Sequence, residues 1–160
     1  MLPALREQLS IPIVGVVPAI KTAAERSKTG VIGLLATPGT VARQYTKTLI
    51  DEFARDKTVI SVGSSELVEL AENYLHTGDI DRALLEATLH KFDSHTLANA
   101  IDTVVLGCTH FPLLGEQLSA IRPDWQWIDS GAAIANRVIA LSPSAVADSG
   151  TRPSTHIACQ

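Results

Sequence analysis

The sequence predicts an α/β fold: a doubly wound, mainly parallel sheet flanked by helices. Two observations carry that expectation. Short, nearly continuous apolar runs recur along the chain, as strands buried on both faces of a parallel sheet require. Helical patterns with short connections fill the gaps, the alternation of a doubly wound fold. The chain has 160 residues, of which 46% are hydrophobic and 19% charged. That is room for one sizeable core with an ordinary soluble balance.

Taken in order, Leu2, Ala4, Leu5 and Leu9 read as a helix that begins almost at Met1, with no cap before it. Residues 11–17 are a β-branched run ending at Pro18 and read as the first strand. Residues 30–36 (GVIGLLA), 58–62 (TVISV), 103–106 (TVVL) and 125–128 read as further strands. Residues 41–54 place Val41, Tyr45, Leu49, Ile50 and Phe53 near one helical stripe. Residues 65–75 and 80–97 repeat leucines at helical spacing, and 112–121 and 132–141 complete the set. Thr40, Ser64 and Asp79 are the expected N-caps, each a side-chain acceptor just before a helical pattern. Residues 143–154 are rich in Ser, Pro, Ala and Gly and read as a loop, after which 156–160 (HIACQ) start like a strand and stop.

The net charge of −4 is spread without long runs, and the basic footprint of a nucleic-acid partner is missing. The N-terminus carries Arg6 and Glu7 and has no long apolar run, so it reads as neither signal peptide nor membrane span. Two cysteines, Cys108 and Cys159, make no disulfide framework. A reduced, cytoplasmic location is expected.

Residues 104–114, VVLGCTHFPLL, carry the chemistry. A buried strand runs through Gly107 into Cys108, Thr109 and His110. In an open parallel sheet, ligands bind at the carboxyl ends of strands, and the helix after Pro112 would favour a nearby anion. The plain alternative makes Cys108 a small buried hydrophobe and His110 a satisfied surface histidine. Among chemistries, a Cys-His hydrolase has only His110, two positions away, as its base. A zinc site needs three or four ligands, and Cys108 and His110 supply two. Redox exchange wants a paired cysteine, and no C-x-x-C is present. General acid–base catalysis by a single thiol survives best.

Three further segments could support it. In 30–40 (GVIGLLATPGT) a strand ends in a turn whose N–H groups and hydroxyls could hold a carboxylate, or could simply cap a helix through Thr40. The Asp129–Ser130–Gly131 turn offers the same choice between an anion cradle and a cap. Glu66, Glu69 and Glu72 lie on a helix start, and the residues alone do not choose among them.

VVLGCTHFPLL closely resembles the second-cysteine motif of the glutamate racemases, within the aspartate/glutamate racemase superfamily. GVIGLLATPGT resembles the opening of that family's second domain. VGVVPAIKTAA at 14–24 resembles the crossing between domains in proteobacterial members, and IDSGAAIANRV at 128–138 also matches. The resemblance covers nearly the whole chain. It implies two similar α/β domains facing one cleft and each supplying a cysteine, with neither pyridoxal phosphate nor a metal. One thiolate removes the α-proton of glutamate, and the other thiol returns a proton on the opposite face.

Carried over by motif, Cys108 is the acid/base for the L-glutamate face. Thr109 binds substrate, and His110 assists the thiol and contacts substrate. Thr40 holds a substrate carboxylate. Glu72 is the acidic partner, with Glu69 its competitor. The resemblance also implies a UDP-muramyl peptide activator near the crossing segment and a D-glutamate product used in peptidoglycan synthesis. A non-catalytic ligand-binding module and a racemase of a related amino acid such as aspartate are the competing functions.

The family's first-domain motifs, among them Cys-Asn-Thr-Ala, do not occur before Leu2, and both ends read as cut from something longer. The expected division is 1–17 as remnant and crossing, 18–130 as the α/β domain bearing Cys108, and 131–160 as crossing helix and shortened return. Cys159 is not expected to replace the missing thiol. The apolar surface left by the first domain predicts a homodimer or poor solubility.

Overall fold

The computed structural model describes residues 2–142. The loop at 143–154, the strand start at 156–160 and Cys159 lie outside the described residues. In chain order the elements are α1 (Leu2–Gln8), α2 (Ile20–Arg26), β1 (Val31–Ala36), α3 (Pro38–Ala42), α4 (Gln44–Phe53), β2 (Thr58–Gly63), α5 (Glu66–Thr77), α6 (Arg82–His90), β3 (Thr103–Leu106), α7 (Gly115–Ile121), β4 (Gln126–Ile128) and α8 (Gly131–Leu141). Short 3₁₀ turns occupy Lys91–Ser94, Ala98–Ala100 and Phe111–Leu114.

The four strands form one sheet in the order β2-β1-β3-β4, and every pairing is parallel. All six residues of β1 are buried, because β1 lies inside the sheet with helices over both faces. Side chains alternate between two cores, as strand geometry demands. Leu35, Val104 and Leu106 join Leu67, Leu85, Phe92 and Leu118 on the face covered by α5, α6 and α7. Ile32, Leu34 and Val105 join Ile20, Ala23 and Leu49 on the face covered by α2 and α4. Each fully buried Leu, Ile or Phe contributes roughly 1.5–3 kcal/mol, so neither layer is dispensable at a net stability of about 5–15 kcal/mol. The doubly wound expectation therefore holds.

At the end of the sheet where the strands begin, Asp102 ties the turn into β1 to the start of β3. Ser27 Oγ donates to one carboxylate oxygen at 2.7 Å, and the Lys28 and Thr29 N–H groups donate to the other at 2.7 and 3.0 Å. Burial pushes Asp102 up, but these hydrogen bonds and one from Thr103 outweigh it and hold the carboxyl below the ordinary range.

Several expectations are corrected. Residues 11–17 form no strand. Pro12 lacks an N–H, and no neighbouring strand pairs with the run. It remains irregular chain instead, with Ile11 and Val16 exposed. A short helix, α2, follows Pro18 where none was expected. The helix expected over 41–54 breaks at Arg43, whose ψ of 131° is extended. The helix expected over 80–97 ends at His90 and passes into a 3₁₀ turn. Thr37, not Thr40, caps α3 by accepting from the Thr40 N–H at 3.3 Å. Asp81, not Asp79, caps α6 by accepting from the Leu84 N–H at 2.9 Å. Ser64 is displaced by one: Ser65 occupies the N-cap of α5, while the Ser64 Oγ still accepts from the Leu67 N–H at 3.3 Å. Among the described residues no helix is long and apolar enough to cross a membrane.

Candidate active site

Strand order decides where a site can form. From β1 the chain crosses to β2 on one side, and later enters β3 on the other. The two loops leaving β1 and β3 therefore diverge and leave a crevice between them, the general binding position of open α/β sheets. The loop after β1 carries Thr37–Thr40, and the loop after β3 carries Gly107, Cys108, Thr109 and His110.

A cleft of about 220 Å³ opens there. Thr40, Cys108 and Thr109 line it, so three of the residues singled out in the sequence share one space although some 70 positions separate the two loops. The segment before α2 closes one side with Val16, Val17 and Pro18, and Ser130 closes another. Sequence reasoning missed Arg43, Tyr45 and Thr46, which also line it.

Close approach positions the thiol. The Gly107 N–H donates to the Leu35 carbonyl at 2.8 Å, which prolongs the β1–β3 ladder by one rung. A Cβ on Gly107 would lie 2.9 Å from the Ala36 Cβ and 3.1 Å from the Leu34 Cδ1, so only glycine fits there without displacing β1. Cys108 is half-buried and packs against the larger core.

His110 does not line the cleft but stands behind Cys108. Its Nδ1 is 3.7 Å from the Cys108 Sγ, and its Nε2 is 3.1 Å from Glu72 Oε1 on α5. The structure thus brings Glu72 to His110, whereas the competitor Glu69 makes no such contact. Glu66 bonds Ser64 Oγ at 2.7 Å, and this hydrogen bond holds its carboxyl below the ordinary value. An Nε2–H donated to Glu72 leaves Nδ1 with a lone pair facing the sulfur, so it can accept the thiol proton. Once protonated, the ring would face a sulfur anion on one side and a carboxylate on the other.

The Asp129–Ser130–Gly131 turn divides its duties. Asp129 Oδ1 accepts from the Gly131 N–H at 2.6 Å, a local capping role, while Ser130 faces the cleft. Among the described residues no three His, Cys, Asp or Glu side chains are grouped to hold a metal ion.

A doubly wound domain with a cysteine, a histidine and a carboxylate in line at its switch point defines a class. Residues 1–138 match the Asp/Glu/Hydantoin racemase family, and the chain belongs to it. Its curated relatives are glutamate racemases, which are isomerases. That of Yersinia enterocolitica is 51% identical over 144 residues, covering 89% of this chain and 50% of the relative. That of Photorhabdus laumondii is 56% identical over 137 residues, covering 85% and 47%. The chain thus spans about half the length of the relatives it matches. Among solved structures, Escherichia coli glutamate racemase in complex with L-glutamate and the activator UDP-MurNAc-Ala superposes with a TM-score of 0.82 at 50% identity. The match covers 88% of this chain and 52% of that one. A glutamate racemase isoform of Bacillus anthracis gives 0.71 at 30% identity, covering 88% and 52%.

Proposed function

We propose that this chain supplies one half of a cofactor-independent glutamate racemase site, with Cys108 exchanging the α-proton on one face of the substrate. The observation that carries the reading is the line from Cys108 Sγ through His110 to Glu72, at 3.7 and 3.1 Å, beside a cleft lined by Thr40 and Thr109.

The α-proton of an amino acid is a very weak acid, so substrate must be held rigidly and the developing carbanion stabilised. The Cys108 sulfur anion takes the proton. The Cα–H bond breaks, an S–H bond forms, and the electron pair stays on Cα and spreads into the α-carboxylate. Thr40 and Thr109 donate hydrogen bonds to carboxylate oxygens through hydroxyl and N–H groups. His110 passes the proton to and from sulfur, and Glu72 fixes its tautomer. Cys108 serves the L-glutamate face, and in the reverse direction its thiol returns the proton.

Inversion needs a second acid/base on the opposite face. Cys108 is the only cysteine among the described residues, and the family resemblance implies that a second cysteine, on a facing domain, fills that role. The product, D-glutamate, would serve peptidoglycan synthesis in the cytoplasm. Binding of UDP-MurNAc-Ala by the Escherichia coli relative supports a muramyl-nucleotide activator here, and the family resemblance points to residues 16–21 (VVPAIK) as the segment it would meet.

The test is solvent exchange. The chain is incubated with L- or D-glutamate in D₂O, and the α-proton is followed by NMR. Exchange of L-glutamate that disappears in Cys108→Ala is the expected result. Undiminished exchange in that variant would overturn the assignment of Cys108.

A further inference from the structure

We propose that Arg43 is the specificity-determining residue of the cleft, taking the second carboxylate of a dicarboxylic amino acid; this rests on the racemase reading above. Arg43 is the one formally charged side chain among the residues lining the cleft. Among the described residues no carboxylate pairs with it, so its guanidinium is open to a carboxylate brought by a ligand.

The backbone at this position is held firmly. Arg43 sits at the break between α3 and α4, where its N–H donates to the Thr40 carbonyl at 3.3 Å. The Thr46 Oγ1 donates to that same carbonyl at 2.7 Å, and the Thr46 N–H donates to the Arg43 carbonyl at 3.0 Å. Thr46 is buried, so this small network fixes the root of Arg43 relative to Thr40. An uninterrupted helix would have placed residue 43 elsewhere relative to the cleft.

Chemistry supplies the rest. The hydroxyls and N–H groups of Thr40 and Thr109 suit the α-carboxylate, which every amino acid carries. They cannot separate glutamate from glutamine. A guanidinium can, because its planar fork pairs two N–H groups with the two oxygens of a carboxylate. The neutral amide of glutamine leaves that charge unpaired.

Cys108 is the reporter. Its alkylation by iodoacetamide is followed by mass spectrometry of the peptide bearing it, in the presence of L-glutamate or L-glutamine. L-Glutamate should half-protect the thiol at about fivefold lower concentration, the scale of one exposed charge pair. Arg43→Gln should abolish that preference and Arg43→Lys should keep part of it, with both variants melting as the parent does. Equal protection by the two amino acids, or a preference that survives Arg43→Gln, would overturn the proposal.

A second arm needs no amino acid to bind. The ratio of iodoacetate to iodoacetamide rates at Cys108 should fall in Arg43→Gln, because the anionic reagent loses its attraction. An unchanged ratio would overturn the proposal. Absence of protection by either amino acid, with the ratio still sensitive to residue 43, would sink the glutamate site and the dicarboxylate assignment while leaving the charge of Arg43 in the cleft.

Discussion

His110 Nε2 lies 3.1 Å from Glu72 Oε1, joining the loop after β3 to the middle of α5. Both segments pack into the same core through Leu67, Ala71 and Phe111, so the pair is set by the fold. Glu72 is 59% exposed, which places its contribution at the low end for an ionised hydrogen bond. Glu72→Gln should slow Cys108-dependent α-proton exchange about tenfold, or roughly 1.4 kcal/mol of barrier. His110→Ala should slow it by about 10²-fold. The half-saturating glutamate concentration should change little in Glu72→Gln, because Glu72 does not line the cleft. An exchange rate indifferent to Glu72 would remove it from the machinery.

Gly107→Ala tests how the thiol is carried. The added methyl would meet Ala36 and Leu34 at 2.9 and 3.1 Å, inside a strand-to-strand contact that cannot easily open. A loss of about 1–3 kcal/mol is expected in thermal or urea unfolding, with slower exchange in the protein that remains folded. Unchanged stability would show that the loop relaxes freely.

Asp102 makes stability depend on acidity. Burial disfavours its ionised form, but hydrogen bonds from Ser27, Thr29, Lys28 and Thr103 more than offset this and depress its pKa in the fold. A carboxyl depressed in the native state stabilises it above the unfolded value, about 3.9, and loses that contribution as pH falls through the folded value. Asp102→Asn should therefore cost about 1–3 kcal/mol at pH 7 and raise the pH of acid unfolding. A variant that matches the parent at pH 7 and differs at pH 3 would contradict the sign.

The helix α8 has no buried residue, and Ile139 and Val138 are 72% and 46% exposed. Ile11 and Val16 are likewise exposed, and apolar side chains left open favour association where they form one patch. Ile139→Glu should reduce concentration-dependent association in sedimentation velocity while shifting stability by less than about 0.5 kcal/mol. If association persists unchanged, another surface carries it.

The strands of the sheet were legible because burial on both faces leaves an unmistakable apolar run, as in β1 and β3. The same logic failed at residues 11–17, where the run is equally apolar but has no neighbour to bond. Composition reports burial tendency, whereas strand formation needs a partner. The caps failed by near misses: Thr37 and Thr40, like Asp79 and Asp81, are chemically alike, and only the path of the chain decides which side chain reaches an N–H. Thr40, Cys108 and Thr109 could be foreseen as one site because a switch point gathers strand ends. His110 lies behind the thiol by the same loop, but the choice of Glu72 over Glu69 came from family resemblance. Arg43 left no signal, since nothing in a smooth helical stripe marks the break at that residue.

The extra rung from Gly107 to Leu35 has a dynamic consequence. A cleft filled with solvent ordinarily has amides that trade hydrogen with water quickly. The Gly107 amide should exchange slowly, on the schedule of global opening, because its release requires β1 and β3 to part. Water can thus come and go beside Cys108 while the floor beneath the sulfur keeps the stiffness of the sheet. The reacting atom would then wait in a wet place without wandering.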